Sequence, residues 1–255
     1  MKLVVLFVAG MAMGSLPDRA GLRDALFHYP NEAGETAPVG EDLEWEGQGK
    51  VQVKFARTYQ ERRDAALTKV ADRLKMLTDL LATASAAEKK ADKEAARLNL
   101  KGYAADTLGQ NDADFVEAVT WEGKRIRMLQ RAMKGAKAKK EVIPELQGDR
   151  LDNAAVLIDN GVLEERVKQQ SEAYRLVAES YAAFLDNKLI DAMKKMEEAS
   201  KLLPDVGLPH VLMGSFYFLA RDQEQALSEW KKALELDPDN DELKQIIEQF
   251  ANLDE

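Results

Sequence analysis

The chain of 255 residues contains no cysteine, and this absence excludes several kinds of chemistry. Without thiols the protein cannot form disulfides, use a cysteine nucleophile, bind zinc through thiolates or carry a lipid on an N-terminal cysteine. Histidine is scarce as well, because only His28 and His210 occur, and their separation in sequence does not resemble a metal-binding motif. We therefore expect no metal site and no cofactor.

Proline, glycine and positive charge are also sparse. The 7 prolines and 15 glycines favour long helices, and 32% charged residues indicate solvated helical faces. The formal net charge of -9 argues against a nucleic-acid-binding function, since phosphate contacts require clustered Lys and Arg. The single basic cluster, at residues 134–140, is short, and we interpret it as a solvated helix end.

Long hydrophobic runs are missing except at the N-terminus. There, Lys2 precedes an apolar run over residues 3–13, with small residues at Ala12 and Gly14. This order is typical of a signal peptide over residues 1–14, and a buried strand is the alternative. The run is shorter than the ~20 residues that cross a bilayer, so we expect no transmembrane anchor. The pattern favours export to the periplasm, with a cytoplasmic location as the alternative.

Residues 15–50 are rich in proline and glycine and show no sustained period. We expect an irregular extension here, closed by a short strand at residues 51–53. The sequence GQGK at 47–50 lacks the first glycine and the final hydroxyl residue of a phosphate-binding loop, so it predicts only a turn.

From about residue 54 to residue 150 the pattern becomes helical. Apolar residues at three- and four-residue steps predict a coiled-coil seam, interrupted only at Glu88. The seam comprises Leu67, Val70, Leu74, Leu77, Leu81, Ala84, Ala91, Ala95 and Leu98. Gly102, Gly109 and the polar residues 111–114 predict a turn and a helix cap. A second apolar stripe follows, at Phe115, Val119, Ile126, Leu129 and Met133. Two complementary stripes predict an antiparallel helical hairpin within residues 51–150.

A short helix ending at Asn160–Gly161 and a longer one from Val162 to Leu185 precede a pattern that repeats after 34 residues. Small, large, small and proline residues recur in the same order. The matched pairs are Ala192 and Ala226, Met196 and Trp230, Ala199 and Ala233, and Pro204 and Pro238. Such a period is typical of stacked helix pairs that approach closely at the alanines.

This pattern resembles the tetratricopeptide repeat (TPR) family. Met213, Gly214 and Tyr217 stand where the family has its Leu-Gly and Tyr positions, and the first unit matches more loosely. The resemblance implies repeats at 173–206 and 207–240, with a polar capping helix at 241–250, in a domain over residues 151–255. We therefore expect an all-α fold, in which a coiled-coil-like hairpin precedes a short TPR stack.

The resemblance also implies a concave, partner-binding groove lined by the first helix of each repeat. Its expected residues are Tyr174, Val177, Ala178, Tyr181, Phe184, Leu185, Leu208, Val211, Leu212, Ser215, Phe218 and Leu219. The lysine and asparagine clamp with which some relatives hold C-terminal carboxylates is absent. A face this apolar is rarely left in water, so either an upstream helix such as 150–170, a second copy or a partner helix covers it.

No nucleophile–base pair and no known catalytic motif occurs in the sequence. We therefore expect a non-catalytic scaffold or adaptor that acts through protein–protein interaction or self-association, in a periplasmic or envelope assembly. The alternatives are an exported helical enzyme, such as a glycosidase with a carboxylate pair, and a cytoplasmic binder similar to a co-chaperone.

Overall fold

The computed structural model describes residues 16–40, 48–140, 143 and 146–251, so the expected signal peptide at 1–14 lies outside the described residues. The described part confirms the expected all-α fold. Its only strands form a small hairpin of two antiparallel strands, β1 (Tyr29–Pro30) and β2 (Thr36–Ala37). Its helices are α1 (Arg19–Phe27), α2 (Gln48–Ala86), α3 (Lys90–Ala138), α4 (Gly148–Asp159), α5 (Val162–Leu185), α6 (Leu189–Leu202), α7 (Leu208–Leu219), α8 (Gln223–Leu236) and α9 (Asp241–Ala251).

The contacts divide the chain into two compact units. The repeat unit contains Asp72–Gly109 and Gln169–Glu255, and the second unit, here called the base unit, contains Pro17–Ala71 and Gln110–Lys168. Helices α2 and α3 each contribute residues to both units. The long hairpin therefore supplies part of each hydrophobic core.

In the base unit, α2 and α3 run antiparallel, as the sequence predicts. Tyr59 stacks on Trp121 with ring centroids 5.6 Å apart, and Lys69 Nζ lies 3.0 Å from Asp114 Oδ1. Contact positions that rise along α2 thus fall along α3. The predicted seam is buried on α2 as well, since Leu67 and Val70 are both 0% exposed.

The extension before α2 is more regular than the sequence suggests. Asp18 caps α1 by accepting a hydrogen bond from the Gly21 backbone N–H at 2.8 Å. The turn between the strands has Gly34 at a φ of 80°, which glycine adopts without strain. The strand expected at 51–53 and the turn expected at 47–50 are both wrong where the chain is described, because α2 already begins at Gln48.

The predicted turn near Gly102 and Gly109 is also wrong, because α3 continues through both glycines and through residues 111–114. Asn111 is completely buried there, so tertiary packing outweighs the local preference for a turn. The chain instead reverses at 87–89. That reversal changes the helical phase, and consequently Leu98 of the expected seam is 54% exposed whereas Leu100 is buried.

In the repeat unit, two helix pairs recur at a spacing of 34 residues. Helix α8 begins and ends 34 residues after α6. The turns before them match too, since Asn187 and Arg221 have φ values of 59° and 65°. The small and large residues that the sequence pairs are all buried: Ala192, Met196, Ala199, Ala226, Trp230 and Ala233.

Helix α9 covers the end of the second pair, and its bounds agree with the predicted capping helix. Leu243 is fully buried, and Phe250 makes an edge-on contact with Phe218 at 4.9 Å between ring centroids. Phe250 also lies 5.3 Å from the Trp230 ring. The cap therefore closes an aromatic cluster rather than lying on a polar surface.

Candidate functional site

Most of the twelve residues expected to line the groove lie in the interior of the repeat unit. Eight of them are at most 3% exposed. These are Tyr174, Val177, Ala178, Tyr181, Leu208, Val211, Leu212 and Ser215. The other four, Phe184, Leu185, Phe218 and Leu219, keep part of their surface open to solvent. Any partner that meets this unit as it stands can therefore contact only these four of the set.

The end of α2 covers part of the apolar face. Ser85 Oγ and the Tyr181 hydroxyl oxygen are 2.9 Å apart, and Ser85 also donates to the Leu81 carbonyl oxygen. Because the Ser85 proton is used there, Tyr181 is the donor between the two hydroxyls. Burial raises the pKa of Tyr181, and the bond to Ser85 opposes that rise. The covering side chain thus comes from residues 72–86, whereas residues 150–168 belong to the base unit.

The open part of the face surrounds the C-terminus of α5. Phe184, Leu185 and Leu189 form the floor of a cleft of about 730 Å³, here called the Phe184 cleft. The Phe184 ring is held in place by stacking on Phe216, at 5.0 Å between centroids and 22° between planes. A packed aromatic ring with a half-exposed surface gives the cleft a rigid apolar floor.

The rim of the Phe184 cleft is charged. Its side chains come from the loop after α2, the first turns of α3 and the turn after α5. They are Glu88, Lys90, Lys93, Glu94, Asp186 and Asn187. An apolar floor inside a ring of charges is the anatomy of a protein–protein interface.

Asp186 is the fixed charge of this rim. Its carboxylate accepts a hydrogen bond from Lys101 Nζ at 3.1 Å, and Arg97 Nε lies 3.2 Å from its other oxygen. The bond from Lys101 holds the pKa of Asp186 below its usual range, with Arg97 acting in the same direction. Arg97 also binds Glu94, so four charges from α3 and α5 join into one network.

A second cleft of about 530 Å³ lies on the other side of Asp186. Its lining alternates in charge, since Lys101, Lys188, Lys194 and Lys195 face Glu179, Asp186, Asp191 and Glu198. Lys195 pairs with Glu179 and Lys101 with Asp186. A balanced, solvent-open lining of this kind does not select a ligand of one charge.

The base unit contains a buried charge cluster centred on Glu122, which is 0% exposed. Arg63 Nη1 lies 2.7 Å from one carboxylate oxygen, Arg125 Nη2 lies 2.6 Å from the other, and Tyr29 donates to the carboxylate at 3.3 Å. Burial alone would raise the pKa of Glu122, but Arg125 and Arg63 lower it to about 2. Arg125 also donates to the Val39 carbonyl oxygen, so the cluster ties the N-terminal extension to the hairpin.

A glycosidase-like acid needs a carboxyl group whose pKa is raised, so that it holds a proton to donate. Within the described ranges, every carboxyl group with a clearly perturbed pKa is shifted downward. These groups are Glu94, Glu122, Glu172, Asp186 and Glu229. Each accepts hydrogen bonds from a cationic or imidazole side chain, so each is stabilised in its ionised form.

Two further searches cover only the described residues. No group of three or more His, Asp or Glu residues there is arranged to hold a metal ion. None of the helices there combines the length and the hydrophobicity that a membrane crossing requires. Comparison of the chain with protein-family models, with curated proteins and with solved structures finds no match.

Sequence reasoning identified Phe184 and Leu185 but missed the rim of the cleft. Glu88 was the available signal, because it alone breaks the apolar seam. A charge at that position marks the chain reversal, which brings the first turn of α3 to the end of α5. The period of the seam does not reveal this, since the rim depends on where the reversal packs.

Proposed function

We propose that the protein is a non-catalytic adaptor that binds a peptide segment of a protein partner in the Phe184 cleft. The observation that carries the proposal is the open apolar floor of Phe184, Leu185 and Leu189 within a charged rim. Its volume of about 730 Å³ accommodates a few side chains of a docked segment. Export to the periplasm and membership in the TPR family belong to this proposal.

The composition of the cleft favours a peptide over a small metabolite. Pockets for small molecules are mostly apolar with a few polar groups, whereas here the charged residues outnumber the apolar ones. Interface centres combine apolar contact with a polar rim that stays partly hydrated. A partner side chain can therefore insert over Phe184 while charged residues beside it meet Lys90, Lys93 or Glu88.

The internal packing of the repeat unit supports the same function. Helical-repeat proteins commonly act by presenting a preformed surface, and here the interior of that surface is filled by the chain itself. The floor ring of Phe184 rests on Phe216, and the turn after α5 is fixed by a backbone bond from Lys188 N–H to the Ala183 carbonyl at 2.9 Å. The cleft is therefore preorganised, which reduces the entropic cost of binding.

Site-specific photo-cross-linking in the native host tests the proposal. A benzophenone amino acid at the exposed rim residue Lys93 should give an adduct with one defined protein. The same amino acid at Lys75, an exposed lysine of α2 outside the cleft, provides the matched control. An adduct pattern that is identical at both positions, or no adduct at Lys93, would contradict the proposal.

A further inference from the structure

The base unit carries an exposed cluster of aromatic and cationic side chains, here called the Trp121 patch: Phe55, Tyr59, Arg62, Trp121 and Lys124. Tyr59 stacks on Trp121 with 28° between the ring planes. Arg62 Cζ lies 5.5 Å and Lys124 Nζ 3.8 Å from the centroid of the same Trp121 ring. Phe55, one turn before Tyr59 on α2, is 50% exposed. The patch thus joins neighbouring faces of α2 and α3.

The two cations of the patch have no carboxylate partner among the described residues. Arg62 and Lys124 contact only the ring of Trp121, whereas the nearby carboxylates are already neutralised. Lys69 pairs with Asp114 at 3.0 Å and with Glu117 at 3.5 Å. In a chain with a net charge of -9, the patch is therefore a local surplus of positive charge.

We propose that the Trp121 patch is a second interaction surface, which docks an acidic segment of a protein partner. Tyr, Trp and Arg are the residue types most enriched where protein interfaces concentrate their binding energy. Carboxylates of the partner would pair with Arg62 and Lys124, and an apolar side chain beside them would cover Phe55. Charge complementarity of this kind selects the partner and its orientation.

The geometry favours protein over the two other anionic partners. The Trp121 ring is already contacted by Tyr59, Arg62 and Lys124, so it is not free to stack on a nucleobase. Its indole N–H donates to Glu117 at 3.3 Å, and that carboxylate stands at the edge of the patch. An anionic lipid surface would be repelled there, whereas a peptide can place its own charges away from Glu117.

Titration of the full chain with a synthetic peptide tests the proposal. The probe contains ten glutamates and one central leucine, and binding is followed by calorimetry and by the NMR signal of the Trp121 indole N–H. We expect binding to the parent protein, weakened at least about tenfold by the double change Arg62→Ala with Lys124→Ala. Because both side chains are exposed, this variant should keep the parent's melting temperature.

The matched control removes two exposed cations elsewhere in the base unit, with Arg57→Ala and Lys137→Ala. This control has the same net charge, so it should bind the peptide as the parent does. Equal weakening in both variants would reduce the effect to net charge and overturn the proposal. So would a peptide that does not bind, or vesicles of anionic phospholipid or a short single-stranded DNA that bind through Arg62 and Lys124 in its place.

Discussion

Trp230 packs its indole ring against Gly214 so closely that no side chain fits between the two helices. A Cβ atom at position 214 would lie 2.9 Å from Trp230 Cγ and closer still to Cδ1 and Nε1. The indole N–H donates to the Val211 carbonyl oxygen at 3.3 Å, which fixes the orientation of the ring. Gly214 is therefore required for the approach of α7 to α8.

The change Gly214→Ala should lower the free energy of unfolding by about 1–3 kcal/mol or more, because the ring must move. Gly102→Ala is the matched control, since a Cβ at position 102 meets nothing within 4 Å. Alanine is the better helix former, so that variant should gain roughly 0.5–1 kcal/mol. Urea unfolding measures both values, and a Gly214→Ala variant as stable as the parent would contradict the close packing.

The seam of the hairpin can be tested at one buried and one exposed position. Leu77→Asp places a charge at a site that is 0% exposed, which should cost about 3 kcal/mol or more. Leu98→Asp makes the same change at a site that is 54% exposed, and its cost should stay within about 0.5 kcal/mol. Comparable losses in thermal melts of the two variants would place Leu98 back in the seam.

A double-mutant cycle tests the cover over the apolar face. Ser85→Ala and Tyr181→Phe each remove one side of the hydroxyl–hydroxyl contact between α2 and α5. The two changes should be coupled by about 0.5–1.5 kcal/mol, the usual net value of a buried hydrogen bond. Chemical denaturation of the four proteins gives this coupling. Strictly additive losses would mean that the contact does not form in solution.

The charge cluster around Glu122 predicts a dependence of stability on pH. The folded-state pKa of Glu122 is about 2, compared with 4.5 for an unperturbed glutamate. Because the folded value is the lower one, the stabilising contribution is complete above about pH 4.5 and is lost as the pH falls towards 2. The shift corresponds to about 3 kcal/mol of stability.

Glu122→Gln should therefore reduce the stability at neutral pH by about 3–5 kcal/mol, since it leaves Arg63 and Arg125 buried without a counter-charge. The variant should also lose less additional stability than the parent between pH 4.5 and pH 2, because position 122 no longer titrates. Unfolding curves at several pH values test both effects. Parallel pH profiles for parent and variant would show that Glu122 does not contribute to acid unfolding.

The sequence predicted those features that depend on local periodicity. The buried face of α2 follows from apolar residues such as Leu74 and Leu81 at helical steps, and both are at most 1% exposed. The equal spacing of α6 and α8 follows from the recurrence of alanines such as Ala192 and Ala226. In each case one stretch of sequence contains the whole pattern.

The sequence did not predict features that depend on distant contacts. Gly109 favours a break, yet Asn111 is fully buried two residues later, and tertiary packing keeps α3 continuous there. The filling of the expected groove was missed because it depends on Ser85, which is 96 residues from Tyr181. The same long-range packing decides which part of the apolar face remains open as the Phe184 cleft.

The central claim is that the Phe184 cleft binds a protein partner, and the variant Leu189→Glu tests it most directly. Leu189 lies on the cleft floor and begins α6, where the helix dipole favours a carboxylate and the fold should tolerate the change. Val162→Glu makes the same change at the exposed first residue of α5 and provides the control.

The measurement is the yield of the Lys93 photo-adduct together with the melting temperature of each variant. The account predicts that Leu189→Glu abolishes the adduct while its melting temperature stays within a few degrees of the parent's, and that Val162→Glu changes neither. An adduct that forms undiminished in folded Leu189→Glu protein would contradict the account, because the partner would then bind without the apolar floor.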